Sequence, residues 1–514
     1  MPDAKRFEIP PRPGTVCLVG AGPGDPGLLT VRGLTCLRRA EVVIYDYLAN
    51  PSLLGEAPAS AIKIYVGKSK GRHCIPQGEI NALLAEHASA GRTVVRLKGG
   101  DPFIFGRGGE EAHFLAEVGI PFEVVPGITA GLAAAAYAGI PLTHREHTTS
   151  LAMVTGHLTS ERDLDHVDWA RLALGVGTLV IYMGLSNLAA IAARLMQHGR
   201  SPETPVALIR WATTPRQETL TGTLADIAAK VAAADFQPPA VIVIGEVVGL
   251  RKTLRWFDNR PLFGRRLLVT RAVDQAGPLA DALCELGAEP VLCPTIGIVP
   301  PASYAELDAG IARLAETDYL VLTSANAVVA FFARLATAGR DTRALAGITL
   351  VAVGPKTAEA LAAGGVHADL MPASYDAEGV VALLCSEVAG KRVLYPRAAL
   401  ARDLIVTALT AAGATVAAPI AYASAPPADA ARVAAAALAE GLDLLTFTAA
   451  STVRNFAALL DAEQLSQARR VPAAVIGPQT AAAARELGFT IAVEPAEATL
   501  EAMVAAIVDY FKET

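Results

Sequence analysis

The chain has 514 residues, a length that predicts roughly two to four domains rather than one hydrophobic core. Hydrophobic residues make up 52% of the chain and charged residues 18%, a composition typical of compact α/β domains. The net charge is −6, with 26 Lys and Arg against 24 Asp and Glu in residues 1–261 and 18 against 26 in the rest. Neither half is basic enough to predict a nucleic-acid groove. A few local arginines could still bind an acidic small substrate, so the net charge decides little about the ligand.

Membrane and secreted classes are disfavoured as well. No apolar run reaches the roughly 18–20 residues needed to cross a bilayer, and the N-terminal segment MPDAKRFEIPPRPG lacks the apolar core of a secretory signal. The six cysteines are scattered without a CxxC pair. We therefore expect no disulfide, no metal site, no membrane contact and a reducing cytoplasmic location.

Two glycine-rich loops in the N-terminal part each lie between an apolar strand and a helix. The first is in VCLVGAGPGDPGLLT (16–30). The second is in RLKGGDPFIFGRGGEE (96–111), where residues 93–97 are predicted as the strand and 110–118 as the helix. Glycine admits close backbone approach to a ligand, and Asp101 adds a carboxylate. Two such loops in one domain predict a ligand cleft at the carboxyl ends of the strands.

Residues 256–264 separate two halves, and the second half contains an internal repeat. GRRLLVTRA (264–272) matches GKRVLYPRA (390–398) at an offset of 126 residues. Further matches join DYLVLTSANAVVAFFARL (318–335) to DLLTFTAASTVRNFAALL (443–460), and VGPKTAEAL (353–361) to IGPQTAAAA (476–484). Repeats of this length predict two similar α/β lobes.

Hydroxyl side chains follow predicted strands at equivalent places of the repeat. They are Thr323, Ser324 and Thr448, together with the turns GPKT (354–357) and GPQT (477–480). A hydroxyl at a helix N-terminus either caps the helix or helps to bind a carboxylate. Capping suffices for any one turn, whereas four equivalent turns favour an anion-binding cleft between lobes.

The N-terminal half resembles the tetrapyrrole methylase family, most closely its uroporphyrinogen-III C-methyltransferases. Beyond the glycine loops, the resemblance covers about residues 14–257 and is carried by YDYL (45–48), VGK (66–68), VPGITA (125–130), IPLTHR (140–145), GH (156–157), YMG (182–184) and PAVIVIG (239–245). It implies two α/β lobes, about 14–142 and 143–257, and a homodimer formed through this half. The implied reaction moves methyl groups from S-adenosylmethionine to ring carbons of a tetrapyrrole.

The resemblance also implies roles for individual residues. The donor-binding positions are Pro23, Gly99, Gly100, Asp101, Ile104, Thr129, Ala130, Met183, Ala212 and Ala240. The chain departs from the family at Ala212, where glycine is usual, and the added methyl group could alter donor fit.

Asp46, at the end of the predicted strand 41–45, matches the family's proposed proton acceptor. Lys68, at the end of 62–67, matches its proposed proton donor, with pairing to a substrate carboxylate as the alternative. Asp25, Arg107 and Arg145 are implied to orient the substrate or neutralise its carboxylates, with loop support or solvated surface charge as the alternative.

The C-terminal half, about residues 262–514, resembles uroporphyrinogen-III synthase. The matching elements are VTR (269–271), TSAN (323–326), VG (353–354), PR (396–397) with Arg402, Tyr422, FT (447–448) and GPQT (477–480). The resemblance implies a two-lobed α/β fold, with one lobe of about 262–297 plus 424–514 and another of about 298–423, joined by strands at 292–300 and 418–424. It implies closure of hydroxymethylbilane with the last pyrrole inverted. Tyr422 would assist departure of the hydroxyl, and the candidate carboxylate binders are Arg271, Thr323, Ser324, Arg397, Arg402, Thr448 and Thr480.

Taken together, the two resemblances predict a bifunctional enzyme. It would make uroporphyrinogen III and methylate it at C2 and C7 to precorrin-2, for siroheme or cobalamin, without a metal. Two alternatives stay open at this point. The methylase could act on a later corrin intermediate, and the C-terminal half could be a ligand-binding domain without turnover.

Overall fold

A computed structural model describes residues 14–67, 75–156 and 167–513. The chain divides into two compact units. One runs to Arg265 and includes Leu283–Glu289, and the other consists of Arg266–Ala282 and Pro290–Thr514. In the described part of the chain, no helix has the length and apolar character needed to span a membrane. The same residues contain no cluster of three or more His, Cys, Asp or Glu side chains suited to a metal ion.

The first unit begins with a parallel five-stranded sheet. Its strands are β1 (Val16–Gly20), β2 (Val42–Tyr45), β3 (Ile62–Tyr65), β4 (Val94–Lys98) and β5 (Phe122–Val125), in the order β3-β2-β4-β1-β5. Its helices are α1 (Val31–Arg38), α2 (Gln77–Ser89) and α3 (Gly108–Glu117). Alternate residues of β1 enter two different cores, Val16 and Leu18 one and Cys17 and Val19 the other, so the sheet is buried on both faces. Because β1 and β4 are parallel neighbours, the loops that follow them lie side by side.

A second sheet completes the first unit. Its strands are β6 (Leu151–Thr155), β7 (Thr178–Tyr182), β8 (Pro205–Arg210), β9 (Glu218–Thr223) and β10 (Ala240–Ile244), in the order β6-β7-β10-β8-β9. Only the β6–β7 pair is parallel. Its helices are α4 (Ala130–Tyr137), α5 (Trp169–Gly175), α6 (Leu188–Gln197), α7 (Ile227–Ala233) and α8 (Arg251–Leu254). The alanines of α4 share a core with residues of β7 and β10, so α4 leaves the first sheet and packs on the second.

The second unit contains two larger sheets. One has the order β12-β11-β20-β21-β22, built from β11 (Arg266–Val269), β12 (Glu289–Leu292), β20 (Leu444–Phe447), β21 (Ala473–Val475) and β22 (Ile491–Val493). The other has the order β15-β14-β16-β18, built from β14 (Tyr319–Leu322), β15 (Thr349–Ala352), β16 (Arg392–Leu394) and β18 (Thr415–Ala417). The helices around the first are α9 (Val273–Glu285), α15 (Ala430–Glu440), α16 (Ala450–Leu459), α17 (Ala462–Ala468), α18 (Pro478–Glu486) and α19 (Leu500–Glu513). Those around the second are α10 (Ala305–Ala312), α11 (Ala325–Thr337), α12 (Pro355–Ala363), α13 (Ala377–Leu384) and α14 (Leu404–Ala411).

Two crossing strands connect these sheets. β13 (Gly297–Val299) and β19 (Ile420–Ala425) pair in antiparallel fashion, within the segments where the sequence predicts the connection. A short third strand, β17 (Arg397–Ala398), pairs in parallel with β19 and was not indicated by the sequence. The predicted fold class is confirmed: the chain is α/β, with a two-sheet first unit and a second unit of two lobes joined by a strand connection.

Candidate active sites

The two glycine loops of the first unit form one continuous backbone surface. The backbone N–H of Ala21 donates to the carbonyl oxygen of Lys98 at 2.7 Å, and Gly22 and Gly100 exchange backbone hydrogen bonds of 3.2 and 2.7 Å. Gly100 has a φ of +69°, a conformation that favours glycine. A Cβ atom there would stand 3.6 Å from the backbone nitrogen of Ala130. The surface is therefore free of side chains where it faces the start of α4.

Asp101 holds this surface in shape. Its Oδ1 accepts hydrogen bonds from the backbone N–H groups of Phe103 at 2.8 Å and Ile104 at 3.1 Å. Its Oδ2 accepts from the N–H of Gly127 at 3.0 Å. Asp101 thus ties the loop after β4 to the loop after β5. A direct hydrogen bond from a methyl donor to this carboxylate stays a prediction.

Residues predicted to bind the methyl donor come from both sheets of the first unit. The donor positions of the first sheet lie after its strands. The donor positions of the second sheet are Met183 after β7, Ala212 after β8 and Ala240 at the start of β10. Because β10 is antiparallel to β7 and β8, its first residue lies at the edge where those strands end. The donor positions therefore line the strand ends of both sheets.

Large apolar side chains stay accessible at these strand ends. Ile104 is 40% exposed and Met183 is 51% exposed. Met183 also has a φ of +53°, a strained conformation for a residue with a side chain. A backbone surface with accessible apolar walls suits a ligand that carries a flat heterocycle and a short polar chain, and S-adenosylmethionine has those parts.

Tyr182, which sequence reasoning missed, connects the two sheets beside this surface. Its hydroxyl lies 2.7 Å from Oγ1 of Thr129 and accepts a hydrogen bond from the N–H of Gly131 at 2.8 Å. Its ring lies 4.9 Å from that of Phe105. Burial raises the pKa of Tyr182. This tyrosine fixes the first turn of α4, where Thr129 and Ala130 are predicted to contact the donor.

Asp46 lies at the end of β2, above a buried group of charges. Its Oδ1 accepts a hydrogen bond from the N–H of Leu48 at 3.1 Å, and its Oδ2 lies 3.4 Å from Nη2 of Arg96. The Asp46 side chain is 27% exposed, whereas that of Arg96 is 4% exposed. Asp46 is therefore accessible to a ligand while it contacts the buried cation Arg96.

Arg96 belongs to a set of charges that we call the buried ion cluster, made of Arg96, Lys98, Glu111 and Asp46. Oε1 of Glu111 lies 3.2 Å from Nε of Arg96 and 3.0 Å from Nζ of Lys98. Burial lowers the pKa of Lys98, and the neighbouring Arg96 charge adds to this effect. Two basic residues at alternate positions of a buried strand need a buried anion, so this pattern in the sequence predicts a partner such as Glu111.

Asp25 is bound within the loop after β1. Its Oδ1 accepts from the N–H of Gly27 at 2.8 Å, and its Oδ2 accepts from the hydroxyl of Tyr137 at 2.7 Å. Its own N–H donates to Oγ1 of Thr213 at 2.9 Å. Burial and the bond to Asp25 raise the pKa of Tyr137. Of the two roles open from the sequence, these contacts describe loop support, and substrate orientation stays a prediction.

Two further predicted residues of the first unit are exposed arginines. Arg107, in a left-handed conformation before α3, forms a two-point ion pair with Glu110 at 2.9 and 2.6 Å. Arg145 is exposed at the tip of a tight turn closed between His144 and Thr148. Lys68, the predicted proton donor, lies outside the described residues.

Tyr422 is the centre of the predicted site in the second unit. Its hydroxyl lies 3.0 Å from Oγ of Ser324, which also caps α11 by accepting from the N–H of Ala327 at 3.1 Å. Beside it, Oγ1 of Thr323 lies 3.5 Å from the hydroxyl of Tyr395, a buried tyrosine that sequence reasoning missed. The structure thus joins Tyr422 to Ser324, with a second tyrosine–hydroxyl pair alongside.

Two of the predicted arginines, Arg397 and Arg402, form ion pairs in this lobe. Arg397 precedes Ala398, which is in register with Tyr422, and its Nη1 pairs with Asp403 at 2.6 Å. Arg402 pairs with Glu378 at 3.0 Å on the surface. Arg397 is therefore the better placed of the two for a carboxylate near Tyr422.

Three predicted binders lie on the other lobe. Arg271 and Thr448 follow β11 and β20, and Thr480 is buried in the first turn of α18 after β21. These strands are parallel neighbours, so the three residues share one sheet edge. Of the four equivalent turns, only the one at Ser324 has a side-chain cap, because α12, α16 and α18 begin after Gly354, Ala449 and Gly477.

Comparison with known proteins matches each half to one family. Residues 15–228 match the model of the tetrapyrrole (corrin/porphyrin) methylases, and residues 277–505 match that of uroporphyrinogen-III synthase HemD. The porphyrin biosynthesis protein HemD of Ruminiclostridium josui is 37% identical over 493 residues, which are 96% of this chain and 97% of that protein.

Two further similar proteins are methyltransferases, and each covers part of this chain. The uroporphyrinogen-III C-methyltransferase of Bacillus subtilis strain 168 is 46% identical over 332 residues, which are 65% of this chain and 68% of that protein. A solved structure of uroporphyrin-III C-methyl transferase from Thermus thermophilus, complexed with S-adenyl homocysteine, is 42% identical. It covers 46% of this chain and 99% of that one, with a TM-score of 0.40. The chain is an enzyme that belongs to the tetrapyrrole methylase family, as a uroporphyrinogen-III C-methyltransferase, in its N-terminal half and to the uroporphyrinogen-III synthase family in its C-terminal half.

Proposed function

We propose that the chain carries out two consecutive reactions of tetrapyrrole biosynthesis. The second unit closes hydroxymethylbilane to uroporphyrinogen III with inversion of ring D. The first unit then methylates that product at C2 and C7 to precorrin-2, which feeds siroheme or cobalamin synthesis. The observation that carries the proposal is the nearly full-length relative, a porphyrin biosynthesis protein that spans both units.

In the first unit, S-adenosylmethionine when bound supplies a methyl group already activated on a sulfonium. The backbone surface at Gly99 and Gly100, with the apolar walls of Ile104 and Met183, holds and orients the donor. Asp46 accepts the proton that leaves the ring carbon after methylation. Its side chain is 27% exposed and contacts the buried Arg96, so it is accessible to a ligand and fixed in position, which supports this role.

In the second unit, the residues orient a flexible substrate rather than supply a strong base. Tyr422 donates a hydrogen bond to the departing hydroxyl of hydroxymethylbilane, and Ser324 holds the phenol in place. Arg397, together with Arg271, Thr323, Thr448 and Thr480, binds substrate carboxylates. Correct folding of the linear substrate before closure decides which isomer forms.

One incubation tests both reactions. Purified protein is supplied with hydroxymethylbilane and isotope-labelled S-adenosylmethionine without oxygen, and the products are identified by mass and isomer analysis. We expect doubly methylated precorrin-2. Accumulation of uroporphyrinogen I alone would contradict the synthase activity and would fit a binding domain. Unmethylated uroporphyrinogen III would contradict the methylase activity, and the same protein would then be supplied with a later corrin intermediate to test that alternative.

Family resemblance also leads us to propose a homodimer formed through the first unit. The mass of the protein in solution, measured by light scattering, tests this. A value near twice the 53.2 kDa of one chain is expected, and a single-chain mass contradicts it.

A further inference from the structure

We propose that Glu111 is a positioning residue for methyl transfer: its buried carboxylate offsets the charges of Arg96 and Lys98 and thereby sets how strongly Arg96 binds Asp46. The inference rests on the proposed role of Asp46 as proton acceptor. The hydrogen bonds and ion pairs of the Glu111 side chain to described residues go to Arg96, Lys98 and Gln77, so its charge acts on Asp46 through Arg96 and Lys98.

The geometry places one guanidinium between two carboxylates. Nε of Arg96 contacts Oε1 of Glu111 at 3.2 Å, and Nη2 contacts Oδ2 of Asp46 at 3.4 Å. Nη1 of Arg96 lies 3.4 Å from the carbonyl oxygen of Ile44 and 3.3 Å from that of Leu97. Every nitrogen of this guanidinium is therefore engaged, and the contact to Asp46 is longer than the contact to Glu111.

Glu111 is fully buried, unlike the carboxylates of surface ion pairs. Its side chain is 0% exposed, and Arg96 and Lys98 are each 4% exposed at the side chain. Oε1 receives Arg96, Lys98 and Nε2 of Gln77 at 3.1 Å, while Oε2 is buried without a hydrogen-bond partner among the described residues. A carboxylate is costly to bury without partners, and here the charges of Arg96 and Lys98 offset that cost.

The cluster contains two cations and two carboxylates, so its formal charge is zero. Among the residues that the structure describes, Asp46 contacts the charged Arg96 of β4, and Arg96 contacts Glu111 of α3. Glu111 also contacts Lys98 of β4 and the neutral Gln77 of α2. Coulomb interactions are weakly screened at such a site. Loss of the Glu111 charge would leave two buried cations opposite a single carboxylate, Asp46.

This imbalance has a definite sign. A nearby cation favours the ionised form of a carboxylate and lowers its pKa. With Glu111 neutral, Arg96 would bind Asp46 more strongly, and the carboxylate would become a weaker base for the ring proton. The rate of methyl transfer would fall. Its decline at low pH, the acid limb of the pH–rate profile, would move to lower pH.

The test substitutes Glu111→Gln in the full chain. The rate of methyl transfer to uroporphyrinogen III is measured against pH, and affinity for S-adenosylhomocysteine is measured by calorimetry. We expect the acid limb to move down by about one pH unit and the plateau rate to fall about tenfold. Affinity for S-adenosylhomocysteine should stay within about twofold, because the donor surface is unchanged. A folded variant with an unshifted acid limb would overturn the inference.

Glu117→Gln is the matched control. Glu117 lies on the same helix, but its side chain is 62% exposed and pairs with His113 on the surface. The Glu117→Gln variant should have the same rate of methyl transfer and the same acid limb as the unmodified protein. An equal shift in this control would show that the effect comes from net charge, and the inference would fail.

A second variant keeps the proposal testable if Glu111→Gln does not fold. Lys98→Met combined with Glu111→Gln removes one cation and one anion, which restores charge balance around Arg96. We expect its acid limb to return close to that of the unmodified protein. A double variant that does not fold, or whose acid limb is displaced as far as expected for the single variant, would overturn the inference.

Asp46→Asn separates this inference from the proposed function. If Asp46→Asn loses the acid limb while Glu111→Gln keeps it unshifted, only the inference about Glu111 fails. If Asp46→Asn keeps the acid limb and the rate, the base role of Asp46 fails and the inference fails with it.

Discussion

The two units hold their central polar groups in opposite ways. In the first unit, Asp46 is the partly exposed member of the buried ion cluster, whose other members, Arg96, Lys98 and Glu111, are almost fully excluded from water. In the second unit, Tyr422 is held by the hydroxyl of Ser324, with the Tyr395–Thr323 pair beside it. One site is built from paired charges, and the other is built from neutral hydroxyl groups.

This difference follows the proposed chemistry. Removing a proton from a ring carbon needs a base that is ionised at working pH, and nearby charges set that ionisation. Closing a linear tetrapyrrole needs the substrate held in the right shape, and hydrogen bonds serve that purpose without a strong base. Substitutions in each unit should therefore affect different observables, and the following experiments test the comparison.

Asp46→Asn should have the largest effect. It removes the proposed proton acceptor, so the rate of methyl transfer should fall by about 10²–10⁴-fold. Formation of uroporphyrinogen III from hydroxymethylbilane by the same preparation should be unchanged. Methyl transfer within threefold of the unmodified rate would contradict the role of Asp46, and loss of both activities would indicate a folding defect.

Tyr422→Phe is the counterpart in the second unit. Without the phenolic hydroxyl, we expect enzymatic ring closure to slow about 10–100-fold, with a larger share of spontaneous uroporphyrinogen I. Isomer analysis of the product measures this share. Supplied uroporphyrinogen III should still be methylated at the normal rate. An unchanged isomer ratio and rate would assign Tyr422 to structure alone.

Tyr182→Phe should act on donor binding. The change removes the hydroxyl that contacts Thr129 and Gly131 while keeping the ring against Phe105. Loss of such hydrogen bonds costs about 1 kcal/mol, so affinity for S-adenosylhomocysteine should fall about 3–10-fold. Calorimetry measures this affinity. Ring closure in the second unit is the internal control, and unaltered affinity would contradict a link between Tyr182 and the donor surface.

The smallest effects concern two equivalent turns of the repeat. The N-cap residues Ser324 and Ala449 have nearly identical backbone angles, φ −158° and ψ 154° against φ −160° and ψ 153°. Ser324→Ala should lower the free energy of unfolding by about 1 kcal/mol, and Ala449→Ser should raise it by about 0.5–1 kcal/mol.

Thermal unfolding followed by circular dichroism measures both variants, with the stability gain read at the transition of the second unit. Ser324→Ala should also reduce ring closure, because Ser324 contacts Tyr422, whereas Ala449→Ser should leave that rate unchanged. Equal effects of the two substitutions on ring closure would contradict the assignment of the Tyr422 site to the lobe that contains Ser324.

Much of the fold could be predicted from the sequence because its signals are local. Apolar runs that end in glycine or hydroxyl turns became strands followed by helices, as at β4 with α3 and β14 with α11. The repeat and the ordered motifs led to the right fold class, including the strand connection of the second unit. The donor positions could be named because the motifs that carry them are contiguous.

The contacts around those positions could not be predicted, because they join residues far apart in sequence. Tyr182 meets Thr129 only because α4 leaves one sheet and packs on the other. Glu111 meets Arg96 because α3 covers the face of β4 that carries the basic side chains. A charged residue in a buried strand signals that a partner is needed, but only the packing identifies the partner.

The repeat shows the same limit. By itself the sequence determined that residues 264–361 and 390–484 are two copies of one pattern, since strand and helix propensities follow from local order. Only the tertiary structure decided which strands pair within the lobes that the family resemblance implied: β11 of the first copy pairs with β20 of the second, and β14 of the first pairs with β16 of the second. The physical reason is that strand pairing joins backbone groups in space, and the crossing strands β13 and β19 carry each copy from one lobe to the other before its sheet is complete.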